Sequence, residues 1–357
     1  MISKSKILWI IAIIAILVII KLMRSRFFLI FVIPTPNKPA LAWHPDGNFL
    51  AVAHSLTLEV WDISKKEMTA EIKIPESPNA LHFSPNGRLL AIGCREKGTI
   101  IIVQFPNLKV INCWSGHEGR VEALSFSHDG QWIVSGSYDG TLRLWNAKGK
   151  LIWHWDNDEP ICSLSLSPKE NLLAVGTYDG LIRLWKIPEG KLLSIWRGHR
   201  EKVSTLSFSP DGHLLASASG GLWGGVQDNT IKLWRIQGRK VILVKQFRRM
   251  HFKGITGLAF SPNGKYCVSC STEFDPRVRV WRVDNGRVIW EYPTLGKRLT
   301  YYGLAWLAIY IWQLGYIVRP PISPFMGCSF SPDGRFLAAA TYYHGVYVWQ
   351  VGGVEAK

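Results

Sequence analysis

An all-β chain of seven similar antiparallel sheets closed into a ring is what the sequence predicts, and three observations predict it. A Trp or its replacement ends a strand-like run at Trp61, Val103, Trp145, Trp185, Trp234, Trp281 and Trp349, at gaps of 40 to 49 residues apart from a last gap of 68. A period of ~40–45 residues is that of four-stranded propeller blades. In Val121–Ser127 and Thr141–Trp145 bulky apolar residues recur at every second position, the alternation of a strand with one face more buried than the other. Turn signals separate such runs: Ser-Pro-Asn-Gly at Ser84–Gly87 and Ser-Pro-Asp-Gly at Ser209–Gly212 and Ser331–Gly334.

Over residues 27 to 352 the chain resembles the WD40-repeat family. Gly116-His117 and Gly198-His199 match the start of that family's repeat, and His251 stands four residues before Ile255 as His117 does before Val121. An Asp six residues before the Trp recurs at Asp139, Asp179, Asp228 and Asp275. In the family the His, a strand Ser or Thr, the Asp and the Trp form a hydrogen-bonded brace. The resemblance carries that role to His117, Asp139 and Trp145, to His199, Asp228 and Trp234, and to His251, Asp275 and Trp281. Among the repeat tryptophans only Trp61 is followed by Asp, at Trp61-Asp62. Blade 2 has Val103 and Lys97 at the Trp and Asp positions, and blade 7 has Tyr343 at the Asp position, so both are expected to rely on packing instead of a polar brace.

A ring must join its last blade to its first, because an open sheet edge invites foreign strands. Blade 7 has room for only three strands before the chain stops, and the apolar segment Phe27–Ile33 is the expected fourth. The expected division is therefore 1–26 and a propeller over 27–357, with an apolar insertion at 297–322 between blades 6 and 7.

Residues 1–26 are of another kind. Ile7 to Ile20 is an unbroken apolar run between Lys4 and Lys6 on one side and Lys21, Arg24 and Arg26 on the other. It reads as one transmembrane helix, a single-pass anchor, although it falls short of the ~20 residues of a comfortable span. A cleaved signal peptide, which would want an Ala-x-Ala site that is not found, and a peripheral helix are the alternatives. The flanking charges are nearly balanced and do not orient it. Six scattered cysteines lack the dense pattern of a disulfide-stapled secreted domain, which leans toward a cytoplasmic propeller. Cys267 and Cys270 are three apart in a strand and point to opposite faces, so they make no metal pair.

The net charge is +16, and from Asn229 to Thr272 there are nine basic residues and no acidic one. On one side of blades 5 and 6 such a field would attract anionic lipid or an acidic protein. Nucleic acid is disfavoured, because no basic and stacking-aromatic reader pattern accompanies the charge. Three enlarged connections share one face in the strand order. They are the glycine-flanked segment around Trp223, the connection bearing Arg248, Arg249 and Phe252, and the insertion bearing Trp306 and Trp312. These six residues are the candidate partner-binding positions, with a Trp223 folded back onto blade 5 as the bland alternative. Thr300–Val318 carries no charge, yet a crossing there would separate blade 7 from its neighbours, so a cover, an interfacial helix or a partner-binding element is expected. No nucleophile, metal-ligand or phosphate-loop motif is present, and no cofactor or catalysis is expected. The expected function is a membrane-tethered, non-catalytic scaffold docking a protein on one enlarged face. The alternative is a propeller that senses lipid or another ligand through its basic stretch and insertion.

Overall fold

The chain, seen in a computed structural model, is described at residues 27–220, 228–248, 250–252, 254–272, 276–293 and 323–352. Seven four-stranded antiparallel sheets account for the strands. Blades 1 to 6 lie at 40–73, 78–115, 121–156, 161–197, 203–247 and 255–292, and each takes its four strands in chain order from the ring's centre outward. Blade 7 takes its inner three strands from 325–351 and its outer strand from Phe27–Ile33, which runs antiparallel to Val346–Val351 with Phe27 opposite Val351 and Ile33 opposite Val346. The apolar run at 7–20 lies outside the described residues. Among those described, no helix is long and apolar enough to cross a membrane.

The core lies between blades. Seven clusters of buried apolar side chains each join one blade to the next, from Leu58 and Leu90 between blades 1 and 2 round to Ile33, Leu50 and Val348 between blades 7 and 1. Burial follows strand position: Leu172–Thr177, a second strand, is buried throughout, whereas the outer strand Lys109–Ser115 alternates between exposed and half-buried. Each sheet buries its inner strands on both faces, so apolar packing between blades is the main stabilising term.

Polar links at the ring's centre repeat with the blades. Asn79 Nδ2, Ser163 Oγ, Ser204 Oγ and Thr256 Oγ1, all on inner strands, donate to the first inner-strand carbonyl of the next blade at 2.5 to 2.8 Å. At the closure Trp43 Nε1 donates to the Ser329 carbonyl at 3.3 Å and an Arg335 amino group to Asn48 Oδ1 at 2.8 Å. One end of the ring carries the turns between first and second and between third and fourth strands. There Ser84 Oγ accepts the Leu89 N–H at 2.9 Å and Gly87 takes a φ of 70°, which suits glycine at the tight turn. The opposite end, here the loop end, carries the turns between second and third strands and the connections between blades.

This geometry corrects two expectations. The basic residues of 229–272 do not share one side. Because successive strands run in opposite directions, Arg235, Arg239, Lys240 and Lys265 fall at the turn end, while Lys232 and Arg248 fall toward the loop end. Blade 2 is also not held by packing alone. The buried Glu76, on the connection entering it, accepts the N–H groups of Glu96 and Lys97 at 2.9 and 2.5 Å.

Candidate partner-docking face at the loop end

The loop end is fixed from within the blades. In blade 3 Trp145 Nε1 donates to Ser135 Oγ at 2.8 Å, Ser135 Oγ lies 2.7 Å from His117 Nε2, and His117 Nδ1 lies 3.1 Å from Asp139 Oδ2. Every group is satisfied by a neutral imidazole that accepts the Ser135 hydroxyl and donates from Nδ1 to Asp139. Asp139 also accepts the Glu118 and Thr141 N–H groups at 2.9 and 2.8 Å. The carboxylate thereby ties the connection entering the blade to the turn between its second and third strands. Blade 5 repeats the set with Trp234, Ser217, His199 and Asp228. In blade 6 Ser269 Oγ lies 2.8 Å from His251 Nε2 and accepts Trp281 Nε1 at 3.2 Å, while Asp275 lies outside the described residues.

Burial lowers the pKa of His117 and outweighs the opposing pull of Asp139. Burial works the other way on Asp139, and the bonds from His117 and the Thr141 N–H override it to hold the carboxyl far below its usual range. His199 and Asp228 behave alike. These imidazoles are engaged and kept neutral, so they stand as structural members.

Between the braced loops opens an axial cavity of about 560 Å³. Its walls are inner-strand residues such as Leu41, Leu81, Leu124 and Leu258, and its mouth carries Lys38, Arg95, Arg120 and Lys202 with Tyr138 and Tyr178. Arg120 stacks its guanidinium 4.2 Å above the Tyr138 ring and pairs with Glu122, which also receives Asn79 Nδ2 at 3.2 Å. The Arg95 Nε donates to the Pro78 carbonyl at 2.9 Å. Burial, reinforced by Arg95, lowers the Lys38 ammonium to about 8.

Of the residues singled out in the sequence, Arg248 is exposed toward the loop end, and Phe252 is 75% exposed with its carbonyl accepting Asn229 Nδ2 at 2.7 Å. Trp223, Arg249, Trp306 and Trp312 lie outside the described residues. Sequence reading missed the mouth altogether. Its signal is faint but present. Arg95, Tyr138 and Tyr178 each follow the last residue of a second strand, and Arg120 and Lys202 each precede an inner strand. Superposing the repeats would have gathered them.

Residues 38–62, 108–146, 190–235, 243–282 and 322–350, about half of the chain, match the family described as WD domain, G-beta repeat. The chain belongs to the WD40-repeat family. Residues 147–211 of this WD40 protein also match the Anaphase-promoting complex subunit 4 WD40 domain. Among curated proteins, Target of rapamycin complex subunit LST8 of Saccharomyces cerevisiae is 26% identical, over 66% of this chain and 77% of its own length. Target of rapamycin complex subunit wat1 of Schizosaccharomyces pombe is 21% identical, over 69% of this chain and 78% of its own length. Periodic tryptophan protein 2 of Arabidopsis thaliana is 30% identical over 62% of this chain, which spans only 23% of that protein.

Proposed function

We propose that the protein is a non-catalytic scaffold that docks a protein partner on the loop end of its propeller and is held at a membrane by the apolar run at 7–20. The observation that carries this reading is the loop end itself: a polar brace tying its loops together in blades 3 and 5, around an open cavity whose mouth presents cations and exposed tyrosines. Preorganised loops lower the ordering cost of binding. Two relatives named as subunits of a complex support the scaffold reading. On this reading Trp223, Arg248, Arg249, Phe252, Trp306 and Trp312 take part in partner binding, and the propeller stands on the cytoplasmic side. The lipid-sensing alternative loses its main support, since the basic stretch divides between the two ends.

The test is quantitative co-purification of full-length protein from its own membranes, with Tyr138→Ala/Tyr178→Ala at the loop end compared with Lys148→Glu/Lys150→Glu at the turn end. Partner recovery should fall only in the loop-end variant. Retention of the full chain in carbonate-washed membranes, and its release on deletion of residues 1–26, tests the anchor in the same preparation.

A further inference from the structure

The mouth of the axial cavity assembles more positive charge than folding requires. Lys38, Arg95, Arg120 and Lys202 come from four blades and from positions far apart in sequence, and all four line one cavity. Like charges brought together repel. Among the described residues Glu122 is the sole acidic side chain in that lining, and it is already engaged by Arg120 and Asn79. Lys38 and Lys202 form no ion pair among the described residues.

Three of the four cations are partly desolvated, and the two arginines are held in place. Lys38, Arg95 and Lys202 are only half-exposed, so an anion meets charges that water screens weakly. Burial, with Arg95 and to a lesser degree Arg120 and Lys202, brings the Lys38 ammonium down to about 8. Lys38 is therefore still charged at neutral pH, at an electrostatic cost that an incoming anion would relieve. The Pro78 carbonyl holds the Arg95 Nε and the Tyr138 ring supports Arg120, leaving their terminal amino groups free to address a planar anion.

We propose that Lys38, Arg95, Arg120 and Lys202 form a receptor for the carboxylates of an acidic, extended peptide segment that enters the axial cavity from the loop end. This rests on the reading of the loop end as a docking face and names the chemistry of what docks there. The cations stand at the mouth of a cavity walled lower down by Leu81, Leu124 and Leu258, which an extended chain can enter and a broad, planar bilayer cannot. One extended chain can place carboxylates among the cations and apolar side chains below them.

The experiment measures binding of a fluorescent Glu/Leu decapeptide to the full-length protein in detergent, beside its Gln/Leu counterpart, a phosphoserine/Leu counterpart, inorganic phosphate, and vesicles containing phosphatidylserine. The Glu peptide should bind and the Gln peptide should not, and raising salt from 50 to 300 mM should weaken binding roughly tenfold. Lys38→Met/Lys202→Met should also weaken it roughly tenfold or more, whereas Lys150→Met, at the turn end, should leave it unchanged. The proposal is overturned by Glu-peptide binding that ignores Lys38→Met/Lys202→Met in a protein with unaltered melting. Preference for the phosphoserine peptide overturns the carboxylate assignment, as does preference for inorganic phosphate. Vesicle binding that depends on Lys202 overturns the peptide in favour of lipid. Absence of peptide binding, with partner co-purification still sensitive to Tyr138→Ala/Tyr178→Ala, overturns the charge chemistry alone. Loss of that sensitivity as well overturns the docking reading with it.

Discussion

Blades 3 and 2 are neighbours with the same strand geometry, yet they hold their loop ends by opposite chemistry. In blade 3 the acid sits on the turn between the second and third strands: Asp139 reaches the N–H of Glu118 and the ring of His117 on the incoming connection, and Ser135 and Trp145 complete the chain. In blade 2 the acid sits on the incoming connection, and Glu76 reaches the N–H groups of Glu96 and Lys97 on the turn. The second-strand position of Ser135 is then taken by Ile92 and the Trp position by Val103, both fully buried. Either loop can supply the carboxylate that ties the two together. In blade 3 the imidazole lies between the carboxylate and the buried Ser135, whose hydroxyl in turn accepts the Trp145 indole N–H. Blade 4 is an incomplete version: Trp185 is retained, Val175 stands in the Ser135 register, and the buried Trp185 Nε1 has no hydrogen-bond partner among the described residues.

The largest expected effect comes from breaking the longer network. Asp139→Ala strands the Glu118 N–H and the His117 ring, and should cost about 3 kcal/mol in denaturant unfolding. Glu76→Ala, which removes two backbone bonds and strands no imidazole, should cost about 2 kcal/mol. A smaller loss from Asp139→Ala than from Glu76→Ala would reverse the ranking of the two devices.

Acid should act through buried imidazoles with an effect of similar size. His82 accepts the Phe126 N–H on Nδ1 across the interface between blades 2 and 3, and burial lowers its pKa from 6.5 to about 4. The unfolded chain takes up the proton first as pH falls, so this contribution is complete above pH ~6.5 and is lost between there and pH ~4, amounting to about 3 kcal/mol. His82→Gln should flatten that part of the stability profile measured by urea titration at each pH. An unchanged slope would remove His82 from the account.

The smallest effect sharpens the comparison most. Val175→Ser offers Trp185 Nε1 an acceptor, and the new hydrogen bond of about 1 kcal/mol offsets much of the lost apolar burial. Ile92→Ser at the same register in blade 2 meets no indole and should be worse by about 2 kcal/mol. Equal losses at the two sites would mean that the orphaned indole is satisfied in some other way.

Legibility divides along the same lines. The seven-unit ring could be read because the alternation and the turn chemistry recur along the chain and six of the seven units end in a Trp, Val103 standing in for the seventh. The residues around Ser135 stand at repeat offsets, so their register was visible even though the serine itself carried no distinguishing mark. Glu76 was invisible because its role reverses the usual direction of the link. The mouth was invisible for a different reason: Lys38, Arg95, Arg120 and Lys202 differ in type and loop, and only ring closure brings them together. Conversely, the run of basic residues at 229–272 looked like one patch because sequence proximity was read as spatial proximity, and antiparallel strands divide it between the two ends.

The central claim is that partners meet the loop end and not the turn end. A photo-crosslinking residue placed at Tyr178, and in a second protein at Lys148, would be irradiated in the full-length protein within its own membranes and the adducts resolved by mass spectrometry. A discrete protein adduct from position 178 and none from 148 is the predicted result. The same adduct from both positions, or from 148 alone, would contradict it.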